Sequence, residues 1–480
     1  MNARIPPRIP GLPILGNVLE FRSDRAGLML RAVQYGDAVS MRLGILDVLI
    51  LNSPGLAHEV LVEKSDAFIK DVGLRLFGGE VLGRGLLTNE HESHRRQRHL
   101  MAPMFTARRV AELAPIFVAC AERAQSGWVS NSVIDLASEM SRLALDVVGT
   151  TLFGSDVSAE AKEITAALRT AMDYVVRSVN SIVPLPPRWP TPSNLRNKLA
   201  VRRLDATVYR MIRARQRTGS KPTDFLSMLL AARDTGDGKG MSERQVRDEA
   251  MTIFLAGHET TANTLTWAWY LLLQNPSVYQ RLQEELDTAS ASGLTVDLEQ
   301  VPYVSQVLKE TLRLYPPVYI LGREAEREVR IGDYLVRKGT FVMINVLGIH
   351  RDRAYFDQPN EFRPERFTKE LEAQLPRFAY QPFGSGPRVC IGASFASLEA
   401  QLALTTIARR VAFERTSGRG GEMDPLITLR MKGPLHVRVS RRREGSVVEA
   451  AAKKQRGPAV LGAPPDAANA LCPRSAAGRQ

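Results

Sequence analysis

Cys390 is one of only three cysteines in the chain and stands in the run Phe383-Gly384-Ser385-Gly386-Pro387-Arg388-Val389-Cys390-Ile391-Gly392. A helix-favouring stretch from Ala393 to Arg410 follows it. A thiol at a helix N-terminus is drawn toward the thiolate by the helix dipole and by free backbone N–H groups. Arg388 adds a cation nearby. Gly384, Gly386 and Gly392 let the backbone turn tightly and approach a flat partner, and Phe383 can pack beside the sulfur. The segment is thus suited to making and holding a thiolate. Three plainer readings compete with that one. A lone cysteine is usually a small buried apolar residue. A dinucleotide loop needs a third glycine where Val389 stands, and zinc needs further Cys or His ligands close by.

A second group is Ala256-Gly257-His258-Glu259-Thr260-Thr261, a polar, small-residue break in an otherwise apolar helical face. Ala256 and Gly257 leave room for a flat cofactor or O2 against the helix. Thr260 can bond the carbonyl one turn earlier and open a groove for water, and Glu259 can supply protons. A zinc-protease helix would place its second histidine at 262, where the chain has Ala262. Glu310 and Arg313 are three apart and share a helix face. So do His94 and Arg98, four apart. Each basic residue taken alone would be assigned to solvent.

These groups need a scaffold, and its elements are legible in outline. The stretch Ser242–Gln274 contains no proline and predicts one helix roughly 50 Å long, ended by Pro276. Val304–Leu314 predicts another. Residues 5–17 are Pro-rich and read as an extended leader. Gly36–Gly44 and Val48–Asn52 read as a two-stranded hairpin. The pattern from Pro54 to about residue 280 is mostly helical, broken at Gly83-Arg84-Gly85 and at Pro184–Pro192. Short strands fit Glu328–Ile331, Tyr334–Val336 and Thr340–Asn345. Pro359–Pro382 reads as an ordered irregular loop. Beyond residue 440 periodicity fades, and 441–480 reads as a disordered basic tail.

Composition bounds the rest. Hydrophobic residues make up 44% and charged residues 24%, as in a soluble globular protein. The longest strongly apolar run, Thr264–Leu273, is far short of the roughly 18–20 residues of a membrane span. The N-terminus shows no signal peptide or membrane anchor. The net charge is +13, and no nucleic-acid signature accompanies it. Arg95, Arg96 and Arg98, with Arg108 and Arg109, form basic stretches that an acidic redox protein would find attractive. Unclustered cysteines point to a reducing, cytoplasmic setting, with Cys120 buried and inert.

The Cys390 run resembles the heme-binding loop of the cytochrome P450 family, with all six key positions filled. The resemblance extends from the proline leader to about residue 440. It implies a mainly α fold with small β-sheets, a single large domain over 1–440, and heme b as cofactor with Cys390 on the iron. Phe383, Arg388, Ala256 and Gly392 then lie around the heme, and His94, Arg98, Arg323 and Arg388 match propionate-binding positions. Thr260 and Glu259 match the alcohol and acid that govern protons for O–O cleavage. Glu310, Arg313 and the arginine of Pro364-Glu365-Arg366-Phe367 match a buried structural network.

The implied reaction inserts one atom of O2 into an apolar small molecule: a terpenoid, steroid, fatty acid or macrolide-like compound. The pocket would be lined by Ala67–Leu87, Phe254, Ala256, Val318–Leu321 and Ile427. With no appended reductase domain in the sequence, electrons are expected from a ferredoxin and its NAD(P)H-dependent reductase, docking near Arg95 and Arg96, on a monomer. A peroxide-driven peroxygenase and a non-catalytic heme sensor are the alternatives. Glu259-Thr260 argues against the first, as it does against a heme-thiolate isomerase; the mark of the second would be no substrate-induced spin change and no turnover with any redox partner.

Overall fold

Apolar residues on either side of the Gly44 turn pair as the expected hairpin, β1 (Ala38–Leu43) against β2 (Leu46–Leu51), with Val39 opposite Ile50. The computed structural model describes residues 4–442, apart from 72, 155–166, 168, 169, 172, 173, 176, 179–188, 219–223, 291–296 and 417–419. The helices that matter here are α1 (His91–Met101), α2 (Ala114–Ser126), α3 (Leu136–Phe153), α4 (Pro192–Thr218), α5 (Glu243–Gln274), α6 (Pro276–Ser290), α7 (Pro302–Leu314) and α8 (Ala393–Arg410). Further strands are β3 (Phe68–Ile69), β4 (Val133–Asp135), β5 (Leu321–Ala325), β6 (Val329–Ile331), β7 (Tyr334–Val336) and β8 (Phe341–Ile344). Near the C-terminal end come β9 (Val411–Arg415), β10 (Met423–Pro425), β11 (Leu429–Met431) and β12 (His436–Arg441).

The principal sheet has the order β1-β2-β8-β5-β3. Its β2–β8 pair is parallel, with Val48 opposite Phe341. The Pro-rich leader lies extended against it, bridging Arg8 to Ser40. Strand β5 was not expected from sequence, and it is the strand that carries Arg323 inward.

Helix α5 begins as its sequence dictates. Ser242 caps the Gln245 N–H and the Gln245 side chain returns to the Ser242 N–H, a reciprocal capping box. Its N-terminal third buries Arg247, Asp248 and Glu249 beside Val246 and Ala250, and its C-terminal third is mostly apolar with Trp267 and Trp269 fully buried, so the helix runs through the core rather than over it. Where it crosses α3, a Cβ on Gly257 would lie 3.1 Å from Val148 Cγ2. Gly257 therefore lets α5 approach α3 closely. At the far end the Tyr315 ring, just past α7, stacks on Trp267 at 3.8 Å.

The folded unit runs through Arg442. Arg441 ends β12, and Arg442 donates to Ala408 O at 2.8 Å and to Asp287 at 2.6 Å. The expected boundary at 440 thus moves two residues outward. The rest of the expected tail, 443–480, and residues 184–188 of the Pro-rich break lie outside the described residues. Among the described residues no helix is long and apolar enough to cross a membrane.

Candidate active site

Cys390 lies two residues before Gly392, the N-cap of α8. Its N–H donates to Phe383 O at 2.9 Å and closes the loop on itself. The turn inside that loop requires glycine at 386, where φ is +72° and a Cβ would overlap the Leu61 carbonyl oxygen. Gly392 is under no such demand: a Cβ there would make ordinary contacts with Phe105 and the Cys390 sulfur.

The Cys390 side chain has accessible surface, yet burial is the largest influence on its thiol and pushes it up. The two observations agree if the sulfur faces an internal cleft walled by protein. The Gly392 N–H, Arg98 and Lys70 pull the thiol down without winning. Net lowering was expected, so the sign is corrected: desolvation outweighs the helix terminus. A thiolate-binding metal reverses that balance, because coordination selects the deprotonated form. Arg388 is not among the cations acting on the thiol. It donates to Asn89 O at 2.6 Å and pairs with the Glu90 carboxylate.

The remaining expected cations do converge. Arg98, on α1, donates to Val389 O at 2.8 Å, directly beside the cysteine. His94, one turn earlier, is buried and pulled down to about 4 by burial, Arg98, Lys70 and Arg323. Arg323 is pulled down to about 10 by burial. Sequence reasoning missed a fifth member, Lys70. It retains some accessible surface, but its ammonium is enclosed. Burial, with Arg323 and Arg388 close by, pulls it down to about 7, with Asp71 opposing. The only sequence signal was a basic residue directly after the short apolar run Ala67–Ile69.

Among the described residues no carboxylate lies within ion-pair distance of Lys70, Arg98 or Arg323. Enclosed cations that depress one another are costly unless an anion joins them. A dianionic, flat group seated against Cys390 satisfies that demand, so these residues fit a heme with its two propionates. Lys70→Met is expected to speed heme transfer to apomyoglobin by about tenfold or more, matching the about 1.5–3 kcal/mol of a hydrogen bond to a charged group. An unchanged transfer rate would remove Lys70 from the set.

Above this floor, α5 has the expected break. Ala256 is exposed in mid-helix, and the Thr260 hydroxyl donates to Ala256 O at 2.6 Å. Glu259 points elsewhere: its Oε1 accepts from the Thr428 hydroxyl at 2.7 Å. Thr261 donates to Glu399 on α8 at 3.1 Å, where burial raises the carboxyl to about 8. Of the expected pocket residues, Phe254 and Tyr319 belong to the core instead. Phe254 packs on Phe153, and Tyr319 donates to Leu426 O at 2.9 Å.

The structural brace is present. Arg313 donates twice to Glu310, at 2.6 and 2.7 Å, and both side chains are fully buried. Arg366 adds a 3.3 Å bond to the same carboxylate. Arg313 also donates to the carbonyls of His350, Pro359 and Glu361. His350 carries the brace onward. Burial pulls it down to about 3, so it is neutral and accepts the Gln381 N–H at 2.9 Å. Gln381 O in turn accepts the Gly384 N–H at 3.1 Å, inside the cysteine loop.

The basic stretch is less basic than its sequence suggests. Arg96 is paired with Asp234 at 3.2 Å and with Asp237 at 3.5 Å. Arg95 pairs with Glu92 at 3.1 Å, both largely exposed. The docking face expected around Arg95 and Arg96 is therefore partly neutralised by the loop before α5.

Comparison with known proteins agrees with this geometry. A family model described as Cytochrome P450 matches residues 6–433. Cyclooctatin synthase of Streptomyces melanosporofaciens is 33% identical over 89% of this chain and 94% of its own. Cyclooctat-9-en-7-ol 5-monooxygenase of the same organism is 31% identical over 84% and 88%. Pentalenene oxygenase of Streptomyces avermitilis is 31% identical over 83% and 89%. The chain belongs to the cytochrome P450 family, whose members are heme-iron monooxygenases.

Proposed function

We propose that this protein hydroxylates a cyclic terpenoid at a heme b seated on Cys390, as a cytoplasmic monomer. The electrons come from a ferredoxin and its NAD(P)H-dependent reductase. The observation that carries the substrate class is the naming of the two relatives that cover the chain so fully. One is a monooxygenase of cyclooctat-9-en-7-ol, the other an oxygenase of pentalenene.

The bound heme supplies reductive activation of O2; the chain supplies everything around it. Cys390 donates electron density as thiolate. Lys70, Arg98, His94 and Arg323 would hold the propionates. Thr260 holds or releases a proton at its hydroxyl, next to the opening at Ala256. Glu259 is the proton donor behind it. Val318, Leu321 and Ile427 are apolar and keep accessible surface, which suits a hydrocarbon skeleton.

The test is direct. Cyclooctat-9-en-7-ol and pentalenene are each added to the ferric protein, and the Soret band is followed for a spin-state shift. Turnover is then run with a ferredoxin, its reductase, NADPH and isotopically labelled O2. A shift and one labelled oxygen atom in the product are expected with at least one of the two. A shift and product with a fatty acid or macrolide but with neither terpenoid would overturn the substrate class. Oxygen derived from peroxide rather than O2 would overturn the oxidant.

A further inference from the structure

Glu259 and Thr260 are neighbours in sequence, yet their side chains are held apart, each by a different partner. The Thr260 hydroxyl is committed to Ala256 O. The Glu259 carboxylate is committed to Thr428, in the turn between β10 and β11. Thr428 is buried, and its oxygen also accepts the Asn263 side-chain amide at 3.1 Å. Asn263 is four residues after Glu259 and lies on the same face of α5. The Thr428 hydroxyl thus bridges two side chains one helical turn apart.

The chemistry of the bridge assigns its direction. A hydroxyl has one hydrogen to give. With Asn263 donating, that hydrogen is free for the carboxylate. The turn itself is fixed. The Leu429 N–H donates to Pro317 O at 2.8 Å, and the Trp267 indole donates to Leu429 O at 3.1 Å. Thr428 therefore holds a defined place against α5 and does not follow the carboxylate about.

We propose that Thr428 is the positioning residue of the proton donor: its hydroxyl, braced by Asn263, keeps the Glu259 carboxyl turned away from the Thr260 hydroxyl until it is needed. The inference rests on the reading of Glu259 as proton donor given above. Proton delivery then requires the Glu259–Thr428 bond to open first, so that the freed carboxylate takes a proton from solvent and passes it to the Thr260 hydroxyl; the strength of that bond sets how soon the proton arrives. A proton that arrives too early diverts electrons into peroxide.

Two measurements test this. The first needs neither heme nor substrate. The carboxylate bands of Glu259 are assigned from the infrared difference between wild type and Glu259→Gln. They should shift in Thr428→Val and return in Thr428→Ser, which keeps the hydroxyl. The second mixes dithionite-reduced holoprotein with O2-saturated buffer and follows the optical decay in H2O and D2O, together with peroxide yield. Glu259→Gln should slow the decay. Thr428→Val should do the opposite, with decay about three- to tenfold faster, more peroxide, and reversion in Thr428→Ser, a fraction of the about 100-fold available to a positioned acid. In the double variant with Glu259→Gln the effect of Thr428→Val should vanish. Unshifted infrared bands overturn the proposal. So does a Thr428→Val decay equal to or slower than wild type while Glu259→Gln is slowed. A Glu259→Gln protein that decays like wild type instead overturns the underlying assignment of the acid. A common melting temperature and reduced CO spectrum across the variants confirm that all four fold.

Discussion

Cys390→Ser is expected to retain heme but to lose the thiolate signature of the reduced CO complex, with turnover down by more than about a hundredfold, some 2.7 kcal/mol of barrier or more. Serine keeps the size of the residue and leaves the loop closed, since the Cys390 N–H bond to Phe383 O involves only backbone. What changes is the donor. A neutral alcohol gives neither the charge nor the polarisable electron density of a thiolate. The cations at Lys70, Arg98 and Arg323 stay in place to hold heme, Lys70 and Arg98 losing only the attraction of the sulfur. A variant whose reduced CO Soret band stays at the thiolate position would show that Cys390 is not the ligand.

Arg313→Met is expected to be the most destabilising single change outside the heme site, at about 3–5 kcal/mol. It strands a fully buried Glu310 carboxylate and removes the donor from three carbonyls at once. The magnitude in temperature is smaller than it sounds. At about 2.1 cal/mol/K per residue, a unit of 442 residues loses only about 3–6 °C of melting temperature. The largely exposed pair of Arg281 with Glu365 gives the contrast. Arg281→Ala should cost at most about 1 kcal/mol, because water and rotamer entropy cancel most of an exposed ion pair. Melting curves of both variants followed by circular dichroism make the comparison. If Arg313→Met melted together with Arg281→Ala, the brace would be no more than a surface pair in effect. The damage should also reach the heme, since His350 and Gln381 link the brace to the cysteine loop.

Several parts of this architecture were legible in sequence for local reasons. The hairpin at 38–51, the helix ending at Gln274 and the helix ending at Leu314 are governed by periodicity, caps and breakers within a few residues. The short strands were not. β3 has two residues and β5 has five, and neither has a pattern long enough to distinguish it from loop. They exist because β8 and the rest of the sheet supply hydrogen bonds from far away in the chain.

The same division runs through the site. By itself the sequence determined the thiol, the loop that closes on it, the acid and alcohol side by side on one helix, and the glutamate–arginine pair three residues apart. Each depends on residues close together in the chain. Only the tertiary structure decided the directions and the company these groups keep. It turned Arg388 toward Glu90 and away from the sulfur, brought Lys70 in as an enclosed cation, and made burial outweigh the helix terminus at Cys390. It also set Thr428 against Glu259 across 169 residues. Desolvation and the choice of hydrogen-bond partner are properties of the packed neighbourhood, and that neighbourhood is assembled from segments whose spacing in sequence carries no record of it.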